Sequence, residues 1–129
     1  MIRGLLVALL LAGGMLAPAT AASAASCYGG AINLHYDYQS GARDYGPYTT
    51  TSRCGDINMR LVTDVPGVYL MACVVFVDHT SLCNHDNSYQ TFGPPWGTVA
   101  TDVRDGTHFK LRVRAYDTDA QHVDFKIAF

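Results

Sequence analysis

Beyond residue 26 the chain alternates between apolar and polar positions. Ile32, Leu34, Tyr36 and Tyr38 interleave with Asn33, His35 and Asp37, and Ile57, Met59 and Leu61 interleave with Asp56, Asn58 and Arg60. The same holds for Phe109, Leu111 and Val113 against Lys110, Arg112 and Arg114, and for Val123, Phe125, Ile127 and Phe129 against His122, Asp124, Lys126 and Ala128. A period of two is the mark of strands with one buried and one wet face. Val68 to Val77 is instead almost wholly apolar, which predicts a central strand covered on both faces. No 3.6-residue period occurs after residue 26. Turn chemistry separates the runs at Asp64-Val65-Pro66-Gly67, at Arg104-Asp105-Gly106 and over Asp117 to Gln121. Residues 84–95, closing on Gly93-Pro94-Pro95, form the longest irregular stretch. The pattern predicts an all-β fold, a small antiparallel β-sandwich or barrel of roughly six to eight strands.

The first residues follow a different rule. Arg3 precedes an apolar run from Leu5 to Leu16, and small residues with a Pro18 breaker fill Ala17 to Ser26. This is the charged, apolar and small-residue order of a secretory signal peptide. The run of about 12 residues is shorter than the ~20 that a membrane-spanning helix needs. Cleavage is expected just after Ala24 or Ala25. The expected organisation is therefore a cleaved leader over residues 1–25 and one secreted domain over 26–129. The spacing of Cys27 from the apolar run does not suit a lipoprotein.

Composition narrows the classes further. The 129 residues are 49% hydrophobic and 16% charged, too apolar for a disordered tail. A formal net charge of −2 gives no overall basic excess for nucleic acid. Four cysteines, Cys27, Cys54, Cys73 and Cys83, lie in the exported part. An even count in a small secreted domain reads as two disulfides. Three connectivities exist; Cys73–Cys83 with Cys27–Cys54 is favoured, because a turn-like Asp78-His79-Thr80-Ser81 separates the first pair. No C-x-x-C spacing supports a metal reading of the cysteines.

If Arg104-Asp105-Gly106 closes a hairpin, Trp96 falls beside Arg114 and Thr98 beside Arg112 on the wet side. A second hairpin near Asp119 then sets Arg114 beside Asp124 and Arg112 beside Lys126. One face is expected to carry Trp96, Lys110, Arg112, Arg114, Asp124 and Lys126, locally positive in an acidic protein. Cations around an indole suit anionic polymers or an acidic partner; the plainer reading is a solvated sheet face. Tyr45 and Tyr48 lie in a Gly/Pro-containing stretch, residues 39–48, which is expected to form a presented loop. Packing against the core is the plainer reading for them too.

His85-Asp86 followed by Tyr89 resembles the active-site block of secreted phospholipases A2, in which the His is the general base and the Asp binds calcium. That family carries the block on a long helix, whereas Asn84, Asn87, Ser88, Gly93, Pro94 and Pro95 here are loop formers. His79, His85, Asp78 and Asp86 offer metal-ligand chemistry at a spacing that fits no known pattern. No G-x-S-x-G block marks a serine nucleophile. No catalytic residue, metal ligand or cofactor is therefore assigned.

Two blocks carry a family resemblance. Tyr48-Thr49-Thr50-Thr51-Ser52-Arg53-Cys54-Gly55-Asp56-Ile57-Asn58, with Val99-Ala100-Thr101-Asp102-Val103-Arg104-Asp105-Gly106-Thr107-His108-Phe109, resembles small secreted actinobacterial (Streptomyces-like) proteins with paired cysteines and no assigned activity. The resemblance implies a compartment and no catalytic residues. The resulting expectation is a secreted, monomeric, non-catalytic binding module. Its partner would be an extracellular polysaccharide, a cell-wall component or a protein, with inhibitor- or toxin-like roles included. A small hydrolase using His85 and Asp86 and a structural envelope protein are the alternatives.

Overall fold

A computed structural model describes residues 24–129; all of the predicted leader (residues 1–25) except its last two residues lies outside them. The chain runs α1 (Ala24–Gly29), β1 (Ile32–Asp37), β2 (Arg43–Thr49), β3 (Ile57–Leu61), β4 (Leu70–Val75), α2 (Asn84–Asn87), β5 (Gln90–Phe92), β6 (Gly97–Ala100), β7 (His108–Ala115) and β8 (His122–Ala128). The strands form two four-stranded antiparallel sheets, β1-β8-β3-β6 and β2-β7-β4-β5. They stack as a sandwich, as the alternation predicts, because each sheet has one apolar face to bury.

The inward positions match the sequence pattern. Tyr36, Ile57, Met59, Leu61, Leu70, Val74, Phe109, Leu111, Val113, Val123, Phe125 and Ile127 are fully buried in one core. Tyr36 also ties the layers together, since its Oη accepts a hydrogen bond from the Ala115 N–H at 3.1 Å. β4 is covered on both faces, as its apolar run predicts. Ala72 and Val74 enter the main core, while Cys73 and Val75 face outward under Cys83, Val77 and Tyr89.

Strand connection departs from the expectation. Every connection except β4–β5 passes from one sheet to the other. The Arg104-Asp105-Gly106 turn has Gly106 at φ 78°, in the left-handed region expected of it, but it closes no hairpin. β6 pairs with β3, and β7 pairs with β2 and β4. Thr50 organises this crossing. Its Oγ1 donates to the Arg104 carbonyl at 2.6 Å and accepts from the Thr107 N–H at 2.9 Å. The second expected hairpin is likewise absent, because β8 pairs with β1 and β3 in the sheet opposite β7.

Both favoured disulfides form, Cys27–Cys54 and Cys73–Cys83. The first fastens α1 to the β2–β3 connection beside Ala128 and Trp96. The second holds the segment after β4 over the outer face of its own sheet.

One asparagine joins the two layers. Asn84 Oδ1 accepts from the Val74 N–H at 2.9 Å, and its Nδ2 donates to the Val99 carbonyl at 2.7 Å. Removing the amide leaves both partly buried backbone groups without this partner. Asn84→Ala is expected to cost about 1–3 kcal/mol, read as a lower urea midpoint at unchanged slope; an unchanged midpoint refutes this role.

Candidate functional site

The two outer faces differ. The face of β2-β7-β4-β5 is largely occupied by the protein's own chain. Arg112 forms a two-point ion pair with Asp44, Nε to Oδ1 at 2.8 Å and Nη2 to Oδ2 at 3.2 Å, and its Nη1 donates to the Ser81 carbonyl. That hydrogen bond holds the Asp44 carboxyl below its usual range and raises Arg112 further. The Arg114 guanidinium lies 5.5 Å from the Tyr89 ring centre. His108 Nδ1 meets Asp78 Oδ2 at 2.7 Å. Lys110 stands in the same outward row of β7.

On the face of β1-β8-β3-β6 the side chains of His35, Asp37, His122 and Asp124 stand open to solvent. At one corner Trp96 packs against the Cys27–Cys54 staple and Ala128. Tyr28 stacks on its indole, with centroids 4.4 Å apart and planes 9° from parallel. The Arg60 guanidinium lies 6.0 Å from the Trp96 ring centre. Register then sets Asn33, Lys126 and Arg60 in one row across β1, β8 and β3. The next rows along β1 and β8 are His35 opposite Asp124, then Asp37 opposite His122.

Those four side chains form a continuous hydrogen-bonded chain. His35 Nδ1 meets Asp124 Oδ1 at 2.7 Å, and His35 Nε2 meets Asp37 Oδ1 at 2.8 Å. The same Asp37 oxygen meets His122 Nδ1 at 2.7 Å. The Asp124 and Asp37 hydrogen bonds raise the His35 pKa above its ordinary value. Those from His122 and His35 lower that of Asp37. All four side chains are at least half open to solvent or close to it, His35 being 49% exposed and His122 78%.

The predicted site residues therefore divide. Trp96, Asp124 and Lys126 share one outer face, and Lys110, Arg112 and Arg114 lie on the opposite one. The single basic face expected from two hairpins does not exist, because arches place β6, β7 and β8 alternately in the two sheets. Tyr45 and Tyr48 form part of strand β2 rather than a presented loop. Tyr45 is buried edge-on against Phe125, donates its hydroxyl to the His35 carbonyl, and has its pKa pushed up to about 12 by burial. Tyr48 packs against Phe109 and Phe129.

His85 and Asp86 sit on a single turn at φ 57° and 56°, with Asn87 also at positive φ. The long helix of the phospholipase arrangement is not present there. His79, His85, Asp78 and Asp86 do not converge as a ligand group among the described residues, and Asp78 instead meets His108. A cleft of about 450 Å³ beside Phe76 and Val99 has His85 as its one titratable lining residue.

Arg60 and the His35–Asp37–His122–Asp124 rows escaped the sequence reading. The signal for the latter was present: His-x-Asp occurs at 35–37 and again at 122–124. Period two puts each pair on one wet face, but only the β1–β8 pairing brings the two together.

No protein-family model matches the chain, and neither the curated proteins nor the solved structures give a match. Among the described residues, no helix is long and apolar enough to cross a membrane.

Proposed function

We propose that this protein is a secreted, non-catalytic binding module, and that its ligand is an anionic cell-envelope polysaccharide held on the outer face of β1-β8-β3-β6. The observation that carries this reading is the corner where Tyr28 stacks on Trp96 beside Arg60, with Lys126 in the neighbouring position of the Arg60 row. An aromatic plate offers a flat apolar surface to a sugar ring, and adjacent cations attract its carboxylate or phosphate groups. The disulfide beneath holds the plate in place before binding, which lowers the ordering cost of association. Two disulfides also fit an extracellular protein, in keeping with the leader-like N-terminal sequence and the actinobacterial resemblance.

The test is co-sedimentation of the oxidised protein, expressed from the full chain, with insoluble peptidoglycan, whole cell walls, chitin and cellulose. The expected result is retention on the anionic wall material, weakened by salt. Tyr28→Ala and the Arg60→Gln/Lys126→Gln pair should each weaken it, and Lys110→Gln on the other sheet should not. Failure of the wild type to sediment with any wall material, or equal loss from Lys110→Gln, overturns the reading.

A further inference from the structure

The His35, Asp37 and His122 side chains bring one ligand atom each to within 4.8 Å of one another, the only such group among the described residues. We propose that these three side chains bind a zinc-class divalent cation, with Asp124 as the residue that orients His35. The site lies on the same sheet face as the aromatic corner, but it does not depend on polysaccharide binding.

The argument begins with register. β1 and β8 are antiparallel neighbours, and Asp37 stands directly opposite His122. His35, two residues before Asp37, projects from the same face. Backbone pairing, not loop conformation, thus sets the separation of the three ligands. The His35 carbonyl is further held by the Tyr45 hydroxyl at 2.6 Å. The backbone of Asp124 is pinned as well: its carbonyl accepts from the Val62 and Thr63 N–H groups, and its own N–H donates to Thr63 Oγ1.

The ligand atoms already converge. His35 Nε2 and His122 Nδ1 both point at Asp37 Oδ1, at 2.8 and 2.7 Å. A carboxylate only accepts, so each of these nitrogens holds a proton directed at the shared oxygen. A tetrahedral zinc with bonds of about 2.0–2.1 Å needs its donor atoms roughly 3.3 Å apart. Opening each hydrogen-bonded pair by about half an ångström makes that room, and side chains this exposed turn without disturbing the core. The metal then takes the place of the proton on the inner nitrogen of each imidazole.

Asp124 supplies what a ligating histidine needs behind it. His35 Nδ1 donates to Asp124 Oδ1 at 2.7 Å, which leaves Nε2 as the ligating atom. Carboxylate–histidine–metal triads have this arrangement, and the carboxylate fixes both the tautomer and the ring orientation. The cluster also suits the charge of the ion, with two carboxylates beside two imidazoles that are neutral when they ligate. Lys126 stands in the Asn33 row, next to that of His35 and Asp124 and away from the His122–Asp37 pair. Two nitrogen donors with one carboxylate select zinc and its neighbours over calcium or magnesium, which favour all-oxygen sets. Three protein ligands on an open face leave a coordination position for water or an external oxygen donor.

The test is titration of zinc chloride into the oxidised, chelator-treated protein, expressed from the full chain. Calorimetry gives stoichiometry and affinity, and nuclear magnetic resonance follows the imidazole signals. The expected result is one zinc per chain, with the His35 and His122 signals moving and those of His79, His85 and His108 staying. Asp124→Asn is expected to weaken binding about 10–100-fold at unchanged stoichiometry, and His35→Ala and His122→Ala to abolish the site. Calcium at equal concentration should not compete. His85→Ala and His108→Ala keep full affinity in the same assay, and circular dichroism spectra show whether each variant remains folded. Absence of zinc binding by the wild type overturns the proposal. So does binding that survives loss of both His35 and His122, or equal competition by calcium. Because no polysaccharide is present, failure here leaves the sedimentation result independent.

Discussion

Reduction of both disulfides is expected to unfold this protein or bring it to the edge of unfolding. In the chain-entropy description a cross-link stabilises by restricting the unfolded ensemble, and the effect grows slowly with loop length. Cys27–Cys54 spans 27 residues and Cys73–Cys83 spans 10. The loop-closure relation gives about 3.5 kcal/mol for the first and about 2.7 for the second. Their sum, about 6 kcal/mol, is comparable to the whole stability of many domains of this size. The folded side argues the same way. The first staple holds α1 and the β2–β3 connection against Trp96 and Ala128. The second keeps the segment after β4 over Cys73 and Val75, which would otherwise present apolar surface to water. The measurement is urea unfolding of oxidised protein, of each Cys→Ala pair and of the fully reduced chain. A reduced protein with an unchanged midpoint would refute the account.

Phe125→Ala is expected to cost about 3–5 kcal/mol, the range for a fully buried phenylalanine. Phe125 has no exposed surface and meets the Tyr45 ring edge-on from the opposite sheet, with centroids 5.2 Å apart. It stands on β8 between β1 and β3, so neighbouring strands limit collapse into the vacated space. Its chain neighbour Lys126 faces outward, and Lys126→Ala should change stability by no more than about 0.5 kcal/mol. The contrast between adjacent positions tests the alternation directly. Similar losses at both would mean that β8 does not hold its register.

The sandwich was legible because burial in a strand is a local property. Alternation along Phe109–Val113 and Val123–Phe129 says which side chains point inward, whatever strand lies beside them. The apolar Val68–Val77 run announced a strand covered twice, and the structure places the staple of Cys73 over its outer side. The two disulfides followed from parity and from the turn-like residues between the second pair. The binding face was not legible in the same way. Trp96 and Lys126 were read as neighbours of Arg112 and Arg114 through two assumed hairpins. A hairpin and an arch joining opposite sheets leave the same period-two pattern, since both strands keep one inward and one outward side. The Asp105-Gly106 signal marks a reversal of the chain and is silent on whether the returning strand pairs or crosses. Tyr45 and Tyr48 were ambiguous for another reason: tyrosine carries an apolar body and a polar tip, so it suits a core edge as well as a contact surface.

The amino-acid sequence by itself determined the strands other than β2, expected as a loop, and β5, inside a stretch expected to be irregular, together with their inward faces, the central position of β4 and the favoured pairing of the cysteines. Each of these depends on residues close in sequence or on counting. Only the tertiary structure decided that β1 lies against β8, that arches separate β7 from its sequence neighbours, and that two distant His-x-Asp pairs meet on one face. Strand partners are chosen by how whole apolar faces close over a shared core, and that choice is a property of the assembled sheets rather than of any segment within them.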